Sequence, residues 1–117
     1  MSQARLTVSQ HTADGVHVLA LAGEIDHTTA GALRQALTAE DGPVRYTVVD
    51  FRDVTFMDSS GINVLVAANN AARACGGWLR LARVPAPVLQ LLHIVGLDDV
   101  IPLYPTLDQA FAPEAAA

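Results

Sequence analysis

The sequence predicts an α/β domain, with a mixed sheet of four to five strands and about four helices packed on it. Two short alternating segments, Arg5 to His11 and Val16 to Ala22, flank a turn-like run from Thr12 to Gly15 and predict a β-hairpin. After the hairpin, strand-like and helix-like segments alternate along the chain. Such alternation is typical of a sheet whose later strands are parallel and are connected by helices.

The first predicted helix follows directly after the hairpin. We expect Gly23 to end the second strand, and Thr28 or Thr29 to cap a helix that runs to about Thr38. Residues 40–43, Glu-Asp-Gly-Pro, should break that helix. Its buried face is expected to carry Ala30, Leu33, Ala36 and Leu37.

A central strand and a long helix form the middle of the chain. The near-continuous apolar run from Tyr46 to Phe51 predicts a strand that is covered on both faces. From Ser59 to about Ala74, apolar residues recur at helical spacing, and Gly76-Gly77 provides the stop. The buried side of this helix is predicted to carry Gly61, Val64, Leu65, Ala68, Ala72 and Cys75.

The last third of the chain predicts four short elements. They are a strand from Trp78 to Ala82, a helix from Pro85 or Pro87 to Ile94 that ends at Gly96, an edge strand from Val100 to Tyr104 that contains Pro102, and a helix from Leu107 to Phe111 capped by Thr106. The chain is expected to be a single domain over residues 1–117, with a core from about 5 to 111 and a flexible tail at 112–117.

The composition excludes several classes of function. The chain is 51% hydrophobic and 16% charged, which favours a folded domain over disorder. With a net charge of −5 and no basic cluster, it has nothing to neutralise nucleic acid phosphates. The chain contains arginine but no lysine, so a Walker P-loop, a Schiff-base enzyme and a lysine-containing response-regulator receiver are also excluded.

Cysteine content and hydropathy predict the compartment. The single cysteine, Cys75, cannot form an internal disulfide, which fits a reducing environment. No apolar run resembles a signal peptide or reaches the roughly 20 residues of a membrane helix. We therefore expect a cytoplasmic protein without membrane contact, and no metal or cofactor is expected.

The segment FMDSSGINV, from Phe56 to Val64, has three interpretations. Asp58 is the best helix cap, so that Ser59 and Ser60 occupy the first two helical positions and only begin a helix. Alternatively, the positive end of the helix tolerates a phosphate on Ser59, and the added charge changes the surface that a partner contacts. A serine nucleophile is disfavoured because no G-x-S-x-G elbow is present and the small domain leaves little room for a cleft.

Other charged residues have ordinary structural explanations. Asp50 and Asp53 near the end of a strand suggest a phospho-aspartate site, but a strand-end turn with solvated carboxylates explains them better. Arg80 and Arg83, on an alternating strand, are expected to form a solvated face.

Three segments together resemble the STAS domain of bacterial anti-sigma factor antagonists. They are GEIDHTTA, VVDFRDVTFMDSSGINVLVAA and GGWLRLARVPAPVLQLLHIVGLDDVIPLYPTLDQAF, and the resemblance runs from about Leu6 to Phe111. The F-M-D-S-S-G segment is its most specific part.

The resemblance implies a binding protein controlled by phosphorylation. In that family the unphosphorylated domain binds a cytoplasmic serine kinase that is also an anti-sigma factor, and so releases a sigma factor. The kinase binds ATP and phosphorylates the first serine of D-S-S-G, which ends the complex, and a serine phosphatase restores it. The resemblance therefore implies that Ser59 is the acceptor and that the partner-binding residues are Asp26, Asp58, Ser59, Ser60, Gly61, Ile62 and Val66.

Several of these residues keep a second interpretation. Asp26 can equally cap the following helix, and Ile62 and Val66 can be ordinary packing beside the core. Gly61, which has no side chain, is expected to let a partner approach the first helical turn.

The function itself also has alternatives. The same domain can serve as a scaffold or as a sensor module in a stress-signalling complex outside direct sigma control. Catalysis by the chain itself is not expected, and neither is an assembly larger than a monomer or weak dimer.

Overall fold

The computed structural model describes residues 5–38 and 45–111. In this part of the chain, five strands form one sheet in the order β1-β2-β3-β4-β5. The strands are β1 Leu6–Ala13, β2 Val16–Ile25, β3 Tyr46–Met57, β4 Trp78–Ala82 and β5 Leu103–Tyr104. The helices are α1 Ala30–Leu37, α2 Ser59–Ala74, α3 Ala86–Ile94 and α4 Leu107–Phe111, with a 3₁₀ turn at Leu97–Asp99. β1 pairs antiparallel with β2 and every other pair is parallel, which confirms the predicted mixed α/β sheet.

The sheet separates a large core from a small one. Apolar residues of α1, α2 and α3 pack on one face, whereas Leu107, Ala110 and Phe111 of α4 pack on the other. The alternation in β2 places Leu19 and Leu21 in the large core, and Val16 and Val18 in the small one. The larger core positions the start of α2, because that helix packs over the middle of the sheet.

The prediction that Gly23 ends the second strand is wrong. β2 continues to Ile25, and Gly23 pairs with Leu6 of β1 and Val54 of β3. Gly23 has a φ of +117°, and a Cβ there would lie 2.0 Å from the carbonyl oxygen of Arg5. Glycine is therefore needed because the two strands approach each other closely here. In the sequence pattern, this glycine resembled one that ends a strand.

The central strand is longer than the predicted Tyr46–Phe51 segment. β3 continues to Met57 because β2 continues beside it, whereas pairing with β4 stops where Asp50 lies opposite Ala82. The β2–β3 register shifts twice, and each shift places one extra residue in β3. These bulges end the simple alternation on which the prediction depended.

Two arginine predictions and one aspartate prediction are wrong. Arg80 is 1% exposed, donates to the carbonyl of Ala110 and stacks over the ring of Trp78 at 3.8 Å. Arg83, expected on a solvated face, is half-buried and forms an ion pair with Asp50, which is itself buried. Pairing in the folded state compensates for the desolvation of these charges, and sequence alternation cannot reveal it.

The ends of the later elements match the predictions, with one exception. β4, α3 and α4 have the expected positions, and Gly96 adopts a left-handed conformation after α3. The predicted Val100–Tyr104 strand is only Leu103–Tyr104, because the 3₁₀ turn extends to Asp99 and Ile101 donates back to Leu97. The predicted helix break at 40–43 and the flexible tail at 112–117 lie outside the described residues.

Candidate functional site

The candidate site is built around the first turn of α2. Asp58 has an extended backbone, and its carboxylate accepts a hydrogen bond of 2.8 Å from the backbone N–H of Ser60. The carbonyl of Asp58 accepts from Gly61 and Ile62, which begins the helical ladder. Asp58 is therefore the helix cap and Ser59 the first helical residue, as predicted.

Ser59 is the accessible serine of this turn. Its side chain is exposed, whereas Ser60 is half-buried, and the described residues make no hydrogen bond to the Ser59 hydroxyl. The Ser59 hydroxyl is therefore accessible to solvent and lies at the positive end of a 16-residue helix, where an added anion is tolerated.

The sheet brings the loop after β2 next to this helix end. Ile25 pairs with Met57, and the N–H of Asp58 donates to the carbonyl of Ile25 at 3.1 Å. The parallel β2–β3 ladder therefore continues to the cap itself. Asp26, the next residue after Ile25, lies beside the start of α2 for this reason.

Asp26 organises the loop between β2 and α1. It is 7% exposed, and its Oδ1 accepts hydrogen bonds from the backbone N–H groups of Thr28 and Thr29 and from the Thr28 hydroxyl. The hydroxyl of Thr29 in turn accepts from the N–H of Asp26 at 2.9 Å. These contacts are those of a capping residue, one of the two predicted roles of Asp26, whereas Thr29 makes no side-chain cap bond.

The charges around the helix end are mainly negative. Arg5 forms ion pairs with Asp26 and Glu24, which belong to the same end of β2. Hydrogen bonds from Thr28, and additionally the Arg5 guanidinium, lower the pKa of Asp26, so that its carboxylate is ionised at neutral pH. Together with the cap Asp58, these two adjoining segments carry three carboxylates and one guanidinium.

Gly61 is buried, and the structure gives a different reason for this glycine than the predicted partner approach. A Cβ at this position would lie 2.6 and 2.7 Å from Cγ and Sδ of Met57 and 2.8 Å from Cγ2 of Ile25. The missing side chain therefore lets α2 pack closely on the ends of β2 and β3.

Gly61→Ala is expected to lower the free energy of unfolding by about 1–3 kcal/mol, because the new methyl group overpacks the core. Met57 has a flexible side chain, so the clash is relieved in part. Urea denaturation measures the change, and a stability equal to wild type would contradict the inward direction of this Cβ.

Ile62 and Val66 extend the site along α2. Helical spacing places them on the flank opposite the groove that Ala67, Ala71 and neighbouring residues form with α1. Ile62 is half-buried and packs against the core, whereas Val66 is 39% exposed. Ile62 therefore packs against the core, which was one of its two predicted roles. Val66 is exposed, so packing against the core does not explain its apolar side chain.

Phe56 belongs to the same region but was not singled out by the sequence. It lies in β3 two residues before the cap and is 48% exposed. The predicted strand ended at Phe51, so no predicted element assigned Phe56 to the core or to the surface. The available signal was its position, because Phe56 is an aromatic residue two positions before the D-S-S-G segment.

The described residues form neither a metal-binding cluster nor a membrane-spanning helix. Within residues 5–38 and 45–111, no group of three or more His, Cys, Asp or Glu side chains is arranged to hold a metal ion. No helix in these ranges combines the length and apolar character that crossing a bilayer requires.

Comparisons with known proteins agree with this architecture. The family model of the STAS domain matches residues 7–110. The chain is 34% identical over 107 residues to the anti-sigma-F factor antagonist RsfB of Mycobacterium tuberculosis, covering 90% of this chain and 84% of the relative. It is 30% identical over 92 residues to the anti-sigma F factor antagonist of Paenibacillus polymyxa, covering 77% and 79%.

A solved structure extends the similarity to three dimensions. The crystal structure of an anti-sigma factor antagonist from Mycobacterium paratuberculosis is 35% identical, with a TM-score of 0.78 and coverage of 90% of both chains. Family model, curated relatives and fold coincide over nearly the whole length of the sequence. The chain belongs to the STAS domain family.

Proposed function

We propose that this protein is an anti-sigma factor antagonist that is switched by phosphorylation of Ser59. Its unphosphorylated form binds an anti-sigma factor that is also a serine kinase, and binding frees a sigma factor. The observation that carries the proposal is the placement of Ser59, exposed and without a hydrogen-bond partner among the described residues, at the first position of a capped helix. Relatives named as anti-sigma factor antagonists support the same function.

The electrostatics of the site explain how the switch works. A phosphate on Ser59 adds a charge of about −1.5 to −2 at neutral pH. The helix N-terminus stabilises an anion, so the domain stays folded. The phosphate adds to the carboxylate of Asp58, and the carboxylates of Asp26 and Glu24 already share the single Arg5 guanidinium. A partner surface that fits the unmodified site therefore meets an increased negative charge.

The docking surface combines the helix end with the neighbouring loop. Asp26, Asp58 and Ser60 frame Ser59, while Ile62 and Val66 supply apolar contact along α2. Gly61 contributes indirectly, by setting the position of the helix end on the sheet. In this proposal the partner binds ATP and performs the chemistry, a separate serine phosphatase resets the switch, and the antagonist is a cytoplasmic monomer or weak dimer without enzymatic activity.

Phosphate transfer provides the direct test. Incubation with the purified kinase of the same bacterium and ATP is expected to add one phosphate, which peptide mass spectrometry should locate on Ser59. Ser59→Ala should abolish the transfer, because the accepting hydroxyl is lost. Ser60→Ala is the matched control and should still be modified, since Ser60 is half-buried and follows the acceptor. Transfer to another residue, or undiminished transfer to Ser59→Ala, would disprove the assignment.

A further inference from the structure

Beyond Asp50, the outer side of β3 pairs with no described strand, and this length of β3 leads to the proposed switch. β4 stops opposite Asp50, whereas β3 runs on to Met57 and pairs only with β2 over this length among the described strands. The N–H of Asp58 continues that ladder to the helix cap. Within residues 5–38 and 45–111, no strand therefore pairs with the side of β3 that faces away from β2 from Phe51 to Met57.

The two register shifts of β3 determine which side chains are exposed there. Val54 and Met57 are buried, whereas Thr55 and Phe56 between them are exposed. The Thr55 hydroxyl donates to the carbonyl of Gly23 at 3.2 Å, which ties the bulged segment to β2. Phe56 keeps 48% of its surface in solvent although it pairs with Glu24 of β2.

We propose that Phe56 is the apolar anchor of the docking surface around Ser59, and that the partner receives its ring in an apolar socket. This inference rests on the proposed function and adds to it a residue that decides affinity. Partly exposed aromatic residues on rigid elements are typical of interface hot spots, because they bury a large apolar area at little entropic cost.

The short distance between Phe56 and Ser59 supports the proposal that Phe56 is an anchor. Phe56 and Ser59 are three residues apart, so their Cα atoms are at most about 11 Å apart. A stable interface buries about 800 Å² of each partner, equivalent to a patch of about 16 Å radius. A contact patch centred on the exposed Ser59 is therefore wide enough to include Phe56. Arg52 and Asp53, exposed and of opposite charge, supply the polar rim that surrounds such anchors.

The bulges also indicate what kind of partner fits. An extended peptide that adds a strand needs a regular row of N–H and C=O groups, and two bulges interrupt that row in β3. The surface instead combines one exposed ring, the apolar flank at Val66 and a helix end. It suits a folded protein with a shaped pocket, and strand addition is the mode that it disfavours.

The test compares the affinities of unphosphorylated variants for the purified kinase that modifies Ser59, by isothermal titration calorimetry. Phe56→Ala is expected to weaken binding at least about tenfold, because the socket loses its ring. Phe56→Tyr keeps the ring and should bind within about threefold of wild type. Val100→Ala is the matched control, since Val100 is 54% exposed but lies before β5, at the opposite end of the parallel strands, and its affinity should not change.

Thermal unfolding separates an anchor from a structural role. Should Phe56→Ala fold poorly, Phe56→Leu, which retains apolar volume, should remain folded and bind more weakly than Phe56→Tyr. Equal affinity of wild type and the folded Phe56→Ala or Phe56→Leu variant would overturn this inference and leave the proposed function intact. A wild-type protein that does not bind the kinase at all would overturn both.

Discussion

Replacing Ser59 with aspartate is expected to weaken binding to the anti-sigma factor by about tenfold to a hundredfold. The new carboxylate lies next to Asp58 and close to Asp26, at a site that a partner must desolvate. Unfavourable charge in an interface costs up to several kcal/mol, and each 1.4 kcal/mol corresponds to a tenfold change in affinity. Titration calorimetry with the purified partner measures this effect directly.

Ser59→Asn is the matched control for charge. Asparagine has nearly the same shape as aspartate but is neutral, so it should bind substantially more tightly than Ser59→Asp. If both variants lose affinity equally, the switch depends on the size of the side chain and the electrostatic explanation fails. If Ser59→Asp binds like wild type, the switch itself is wrong.

The Ser59→Asp variant should also remain fully folded. A negative charge in the first turn of a helix contributes about 0.3–1 kcal/mol of stability. Its midpoint of thermal unfolding should therefore equal or exceed that of wild type. Lost binding combined with retained stability distinguishes a surface switch from local unfolding of α2.

Gly23→Ala is expected to lower the free energy of unfolding by at least about 3 kcal/mol. Two costs combine at this position. The φ of +117° is strained for any residue with a Cβ, and that Cβ would overlap the backbone carbonyl of Arg5 at 2.0 Å. Unlike a flexible side chain, a backbone oxygen in a strand pair cannot move aside, because the N–H of Glu24 donates to it at 2.8 Å.

Gly31→Ala provides the comparison within the same chain. Gly31 lies in α1, and nothing lies within 4 Å of a Cβ added there. Alanine should stabilise the protein by up to about 1 kcal/mol, since it favours the helix and restricts the unfolded chain. Urea denaturation of both variants measures the difference, and a Gly23→Ala protein as stable as Gly31→Ala would contradict the close approach of β1 and β2.

Local signals in the sequence predicted much of the site. The cap at Asp58, the helix start at Ser59 and the stop at Gly76 follow from hydrogen-bonding groups and backbone freedom within a few residues. The segment D-S-S-G also carried the family resemblance. These features depend on neighbours in sequence, so that no knowledge of the packing was needed.

Contacts between distant parts of the chain decided which charged residues are buried. Arg80 is buried because Trp78 stacks on it and the carbonyl of Ala110 accepts from it, and neither contact is visible in the alternation of β4. Asp50 of β3 is buried because Arg83, the residue directly after β4, pairs with it.

By itself, the sequence determined the order of helices and strands, the family and the position of Ser59 at the start of α2, because each depends on residues that are neighbours along the chain. Only the tertiary structure decided that β3 extends beyond its pairing with β4, that Gly61 packs against Met57 and Ile25, and that Phe56 is exposed. Strand register and close packing join residues far apart in sequence, and a pattern of local hydrophobicity carries no information about which partner each of them meets.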